Sequence, residues 1–348
     1  MDYISTLDKL QTFALTPGEI EYINTATSEN DVLIPGYYAQ LIDWKNPADP
    51  IRRQVVPDIR EIRVFDRELT DPIGDEIHSP VPRLTHRYPD RVLLCPTYRC
   101  AVRCRFCFRK ERINAEECGG FSEELLRDAF EYITDHTELN EIILSGGDPL
   151  TLDPAELEWI FDKAGSIPHI KKVRIHTRVP VVDPTRVTGM LTTILSRHTP
   201  VTIVTHFNHP NEITAESITC CRKLRTAGCL LLNQSVLLRD INDSPETLTK
   251  LFRKLIEGPG IIPYYLHHCD LTKGISHFRT TIRDGAALMR KLRGNLSGIC
   301  IPEYVLDLPG GNGKIPLTPS YIVNDESEVW TFRSYRGTIH SYHEIVRE

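Results

Sequence analysis

With 348 residues and 41% hydrophobic content, the chain can bury a sizeable core in one large or two modest domains. A formal net charge of −6 is ordinary for this size and argues against a broad polyanion-binding face, so no nucleic-acid partner is expected. The N-terminus is acidic without a continuous apolar core, and no apolar run reaches the ~18–20 residues that span a bilayer; neither a signal peptide nor a membrane is expected.

Residues 1 to about 85 read as helices and proline-rich connections, as in IPGYYAQLIDWKNPADPIRRQ. From about residue 90, short apolar runs alternate with amphipathic segments. The runs are RVLLCP (91–96), EIILS (141–145), KVRIH (172–176), VTIVTH (201–206), LLLNQSV (230–236) and IPYYLHH (262–268). Asp153-Pro154-Ala155-Glu156 is a capping box with proline at the first helical position. Asp183-Pro184, Ser244-Pro245 and Thr214 are read as further helix starts. Six strand–helix units in series imply parallel strands and an α/β fold, a partial TIM-like (β/α)6 barrel. The boundaries drawn are an N-terminal helical region over 1–88, the barrel over 89–298 and a C-terminal segment over 299–348.

Such a fold carries its chemistry on the loops that follow the strands. The first of these holds Cys100, Cys104 and Cys107 with spacing C-x3-C-x2-C. Three thiolates can hold three corners of a 4Fe-4S cube and leave one iron open to a small molecule. A structural zinc site needs a fourth ligand, usually from a second Cys-x-x-Cys pair, and none follows. A chain this long needs no disulfide staple. Cys95, Cys118, Cys220, Cys221, Cys229, Cys269 and Cys300 form no framework, and Cys229 and Cys300 read as small buried hydrophobes. A reducing cytoplasm is the expected location. Beyond the second run comes Ser145-Gly146-Gly147-Asp148-Pro149, whose paired glycines let backbone approach a ligand. Later strand ends carry His176 and Arg178, His206 and Asn208, Asn233 and Gln234, then His267, His268 and Asp270. A last run ends in Asp307 and leads into Pro309-Gly310-Gly311-Asn312-Gly313-Lys314.

The cysteine triad with SGGDP one strand later resembles the radical S-adenosylmethionine superfamily. THRYPDRVLL, CRFCFRK, LSGGDPL, RIHTRVPVV, HFNHPNEIT, NQSVLLRDIND, PYYLHHCDL, HFRT and DLPGGNGKIP together resemble the lysine 2,3-aminomutase family over roughly residues 34–340. The resemblance implies three cofactors: a 4Fe-4S cluster, S-adenosylmethionine and pyridoxal 5′-phosphate (PLP). It implies cluster ligation by the three cysteines, and cofactor contacts by Ser145, Gly146, Gly147 and Asp148. His176, His206, Asn208 and Gln234 are candidate contacts to S-adenosylmethionine or PLP. Lys314 matches the Schiff-base lysine, and Arg87, Tyr88 and Arg91 match residues that hold the PLP phosphate and ring. Arginine suits that task because its planar fork donates in pairs. Arg109 matches the residue that pairs with the substrate α-carboxylate. Asp270 and Asp307 match two carboxylates that receive a lysine ε-ammonium, a charge that needs compensation once desolvated.

The implied activity is an isomerase that moves the α-amino group of L-lysine from C2 to C3, giving β-lysine by a 5′-deoxyadenosyl-radical mechanism. A reducing electron donor such as flavodoxin or ferredoxin and a homo-oligomeric state are implied as well. Two departures stand out. No cysteine follows Cys300, so the zinc-binding tail of the family's lysine enzymes is not expected, and His267 stands where tyrosine is expected. The same chemistry on lysine destined for elongation factor P, or on arginine or ornithine, is a second reading. A non-catalytic iron–sulfur or zinc protein is a third.

Overall fold

The computed structural model describes residues 3–25, 32–114, 120–198, 200–325 and 329–343; Cys118 lies outside them. Nine strands form one sheet in simple chain order. The six expected runs are β2 (Arg91–Thr97), β3 (Glu141–Gly146), β4 (Lys172–Thr177), β5 (Val201–Thr205), β6 (Leu230–Leu237) and β7 (Ile262–His268), following β1 (Leu84–Tyr88). Each of β2 to β7 pairs in parallel with the next. The mixed α/β fold with a parallel sheet expected from the sequence is the one observed.

The sheet continues past these runs. Strand β8 (Glu303–Asp307) adds in parallel to β7, and β9 (Lys314–Pro316) turns back antiparallel to β8. At the other edge β1 is antiparallel to β2. The sequence boundary at 298/299 therefore falls just before a strand of the same sheet. A separate three-stranded antiparallel sheet, β10 (Ile322–Asn324), β11 (Val329–Arg333) and β12 (Ile339–His343), follows.

The crossovers are helices because their apolar residues recur on one face. In Glu123–Asp135 the buried residues are Leu126, Ala129, Phe130 and Ile133; in Pro245–Glu257 they are Leu248, Leu251, Phe252 and Leu255. Each large aliphatic or aromatic side chain buried this way contributes about 1.5–3 kcal/mol. The Asp153 capping box and the Thr214 and Ser244 caps form as read. Asp183-Pro184 does not open a helix. It starts a single 3-10 turn, and the helix begins at Gly189, where the Thr188 hydroxyl accepts from the Leu191 amide.

The two edges of the sheet meet. The backbone N–H of Lys314 in β9 donates to the Tyr88 hydroxyl in β1 at 3.0 Å, across 226 residues of chain. The N-terminal region packs over the cysteine loop, where Arg103 and Arg105 amides donate to the carbonyls of Leu33 and Gln54 at 2.9 and 2.8 Å.

Candidate active site

A cavity of about 620 Å³ is lined by residues from the first positions of the strands, such as Arg91, Glu141 and Lys172, as well as by the loops beyond their ends. The site therefore runs along the strands and is not confined to the loops after them. The three cysteines, Ser145 to Asp148, the His176, His206 and Gln234 group, Arg87, Tyr88, Arg91, Arg109, Asp270, Asp307 and Lys314 line this cavity, whereas Asn208 lies behind it, its side chain bonded to Gln54 and the Val236 amide.

On the cysteine side, the thiols of Cys100, Cys104 and Cys107 are half-buried and free of disulfides. Burial pushes the Cys107 thiol up to about 11 and Cys100 well above the usual range, each further raised by its neighbouring thiols. Loading a metal must displace those protons. Among the described residues no three His, Cys, Asp or Glu side chains converge on a point that would hold a single metal ion. Three thiolates around one cavity suit a cube, whose irons are separate. Arg178 donates to Cys104 Sγ at 2.8 Å and is itself held by Gln54, Tyr38 and buried Glu212 at 2.6, 3.0 and 2.9 Å. Tyr38, Gln54 and Glu212 were not singled out from the sequence, because each reaches Arg178 only through the fold.

The glycine pair lines the cavity and also packs closely against the protein's own backbone. A Cβ on Gly147 would lie 2.2 Å from the Arg99 carbonyl oxygen, and Gly146 has φ +94° with Cys95 against it. The amides of Gly147 and Asp148 donate to Thr97 and Arg99 carbonyls at 2.9 and 2.8 Å, which ties the β3 loop to the start of the cysteine loop. The Asp148 carboxylate is spent internally on the Thr177 hydroxyl and the amides of Leu150, Arg178 and Val179. Farther along, the Gln234 amide reaches His206 Nε2 at 3.1 Å and His176 Nδ1 at 3.5 Å. Burial lowers both histidines, His206 to about 3, so both are neutral, and His176 Nε2 is buried with no partner.

On the lysine side, Asp307 and Lys314 face each other as a cross-strand pair of β8 and β9, with Nζ 2.5 Å from Oδ2. The turn between them needs its glycines, since Gly310, Gly311 and Gly313 have φ of +72°, +76° and +90°. His267 Nδ1 lies 3.3 Å from the same Asp307 oxygen, and His267 Nε2 is buried without a partner. Burial raises the Asp307 carboxyl, but the His267 hydrogen bond and the Lys314 charge outweigh it and hold the group well below the usual carboxylate range. Asp270 goes the other way: burial and the neighbouring Asp307 charge push it up to about 7, against the pull of Lys314 and Arg109. The Arg91 guanidinium stacks on the Tyr88 ring at 4.0 Å. Arg87 keeps a buried Nε with no partner. Arg109 donates to Ser145 Oγ at 3.3 Å and to Asp75.

These donors fit the implied cofactors. An unpartnered guanidinium N–H beside a second arginine suits a phosphate, an amine held by a carboxylate suits a lysine that must reach a carbonyl, and the unpartnered buried Nε2 of His176 suits a polar nucleoside or ring.

Residues 94–252 match the family described as the radical SAM superfamily, and residues 289–346 match the one described as lysine-2,3-aminomutase. The chain is 41% identical to L-lysine 2,3-aminomutase of Clostridium subterminale over 99% of its own length and 82% of that protein. The chain belongs to the lysine 2,3-aminomutase family. Within it, the chain is also 42% identical to L-lysine 2,3-aminomutase of Methanococcus maripaludis (97% of this chain, 78% of that protein). It is 38% identical to glutamate 2,3-aminomutase of Clostridioides difficile, over 97% of this chain and 78% of that one. Among solved structures, it is similar to Streptococcus suis SuiB bound to S-adenosylmethionine, with TM-score 0.46, 14% identity, and 63% of this chain and 51% of that chain covered. As a radical S-adenosylmethionine aminomutase the chain is an isomerase, and its cofactors are a 4Fe-4S cluster, S-adenosylmethionine and PLP.

Proposed function

We propose that the protein is an L-lysine 2,3-aminomutase, shifting the α-amino group from C2 to C3 to give β-lysine. The observation that carries this reading is the pair Asp270 and Asp307, which share one cavity and one electrostatic neighbourhood with Lys314 and Arg109. A cationic tail entering there gains two carboxylates as compensation for lost water. A carboxylate tail, as in glutamate, would meet like charge instead. When bound, the cluster and S-adenosylmethionine supply a hydrogen-abstracting radical and PLP supplies the carbonyl that holds the amino group.

The chain's residues do the rest. Cys100, Cys104 and Cys107 would hold the cluster, and Arg178 fixes Cys104 from behind. The Ser145–Asp148 turn with His176, His206 and Gln234 would seat S-adenosylmethionine. Arg87, Tyr88 and Arg91 would hold the PLP phosphate and ring, and Arg109 the substrate carboxylate. Lys314, held by Asp307 at 2.5 Å, would supply the amine that PLP's carbonyl takes up, and Asp307 with Asp270 would face the substrate's ammonium. The cavity excludes water around reactive species and sets their spacing.

We infer a sheet curled into a partial barrel, supported by the Tyr88–Lys314 bond between its edges. No helix among the described residues is long and apolar enough to cross a membrane. A cytoplasmic setting with a flavodoxin- or ferredoxin-type donor, and a homo-oligomer, complete the proposal. The test is anaerobic conversion of L-lysine to β-lysine by protein reconstituted with iron, sulfide, PLP, S-adenosylmethionine and reductant. A cluster-replete preparation that leaves lysine unchanged while converting arginine or ornithine would move the assignment to the second substrate class.

A further inference from the structure

The Asp71–Asp75 turn, outside both matched family segments, sits between the two arginines assigned to anions. Asp75 is 2% exposed. Its Oδ1 accepts from Arg87 Nη2 at 2.8 Å and its Oδ2 from Arg109 Nε at 2.7 Å. One carboxylate thus grips a guanidinium on β1 and another on the cysteine loop. Both guanidiniums keep further N–H groups for a ligand, among them the buried Arg87 Nε that has no partner. Removing Asp75 would leave two like charges facing each other with nothing between them.

The turn is fixed from the other side. Asp71 accepts from the amides of Asp75 and Glu76 at 2.9 and 2.7 Å. Gly74, at φ +67°, lies flat on the loop before Lys314: a Cβ there would come within 2.6 Å of the Gly310 carbonyl carbon and the Gly311 nitrogen. Arg87, Arg109 and the Lys314 loop therefore meet on one five-residue turn.

We propose that Asp75 is a positioning residue that yokes Arg87 to Arg109, so that the cofactor-phosphate site and the substrate-carboxylate site are held at one spacing beside Lys314. This rests on the functional reading above, in which Arg87 faces the PLP phosphate and Arg109 the amino-acid carboxylate. A merely structural carboxylate would change stability alone. A yoke changes two separate affinities together, because each arginine loses its aim.

The experiment uses the full chain. PLP is titrated into cluster-free protein and followed by absorbance, and the borohydride-reduced adduct is located on Lys314 by mass. Steady-state kinetics with L-lysine follow on reconstituted enzyme. Asp75→Asn, which keeps the shape but not the charge, should raise both the PLP Kd and the lysine KM by roughly tenfold or more, the scale of a lost charged hydrogen bond, with kcat changed far less. In an Arg109→Gln background the same substitution should add nothing to KM yet still raise the PLP Kd. Asp75→Glu, which keeps the charge one methylene further out, should recover part of both constants, and it carries the comparison with wild type should the asparagine variant not fold. A PLP Kd and KM that both stay put, or only one of them moving, overturns the yoke. Wild-type protein that binds no PLP at all overturns the functional reading, and the inference with it.

Discussion

Around Cys104 the buried carboxylates are spent on several donors each, though Arg178 Nε stays without a partner, whereas around Lys314 buried nitrogens are left over on Arg87 and His267. Glu212 accepts from Tyr38, Arg178 and the Asn208 and His209 amides, and Asp148 accepts from four donors. On the other side burial and the Asp307 charge push the Asp270 carboxyl up to about 7, and His267 keeps a buried Nε2 without a partner. A satisfied network makes a rigid wall, while unsatisfied donors and acceptors in a cavity are affinity held in reserve for a ligand. One half of the chamber is built to hold still, and the other to receive.

That contrast can be broken most decisively at Lys314. Lys314→Ala should reduce turnover to background and abolish the reducible PLP adduct, read by absorbance and mass, while leaving cluster content unchanged. Next, Asp307→Asn should raise the KM for lysine by about 30-fold or more, as expected when one member of a buried charge pair is lost. An unchanged KM would show that the tail binds elsewhere. On the cysteine side, Glu212→Gln takes the paired carboxylate from buried Arg178 and should cost about 3–5 kcal/mol in denaturant unfolding, with little effect on lysine KM in the folded fraction. The reverse pattern, a shifted KM without lost stability, would erase the distinction between the two halves. The smallest effect concerns pH. Since Asp270 sits near 7, it is ionised above that and neutral below, so affinity for a cationic tail should weaken as pH falls through about 7. The lysine KM should rise by up to about tenfold per pH unit there, and Asp270→Asn should flatten the profile.

Much of the wall and part of the chamber were legible in the sequence. Strands β2 to β7 were read almost to the residue because each is a short apolar run between helical patterns of a different period. Strand β1, with sequence LTHRY, carries no apolar run, and β9 is three residues long, so the sheet's edges gave no periodic signal. The cysteine spacing and the PGGNGK loop declared themselves locally. Arg178's partners did not, because Tyr38, Gln54 and Glu212 lie 140, 124 and 34 residues away in the chain. Asp75 was hidden for the opposite reason: in DPIGDE it reads as an ordinary turn, and only the fold sets it between two arginines. The glycines after Ser145 were noticed for their openness to a ligand; that they also admit the Tyr98–Arg99 backbone had no local signal.

The bond between Tyr88 and Lys314 also orders events in time. Neighbouring strands of this sheet are neighbours in sequence, so most pairings form between short stretches of newly made chain. The contact that joins the edges spans 226 residues and cannot exist until nearly the whole chain has been synthesised. The cysteine loop and the N-terminal segment that covers it belong to the first third. During synthesis the iron-binding half can therefore take shape against its own partners while the amino-acid half is still missing its floor, and the chamber is sealed last.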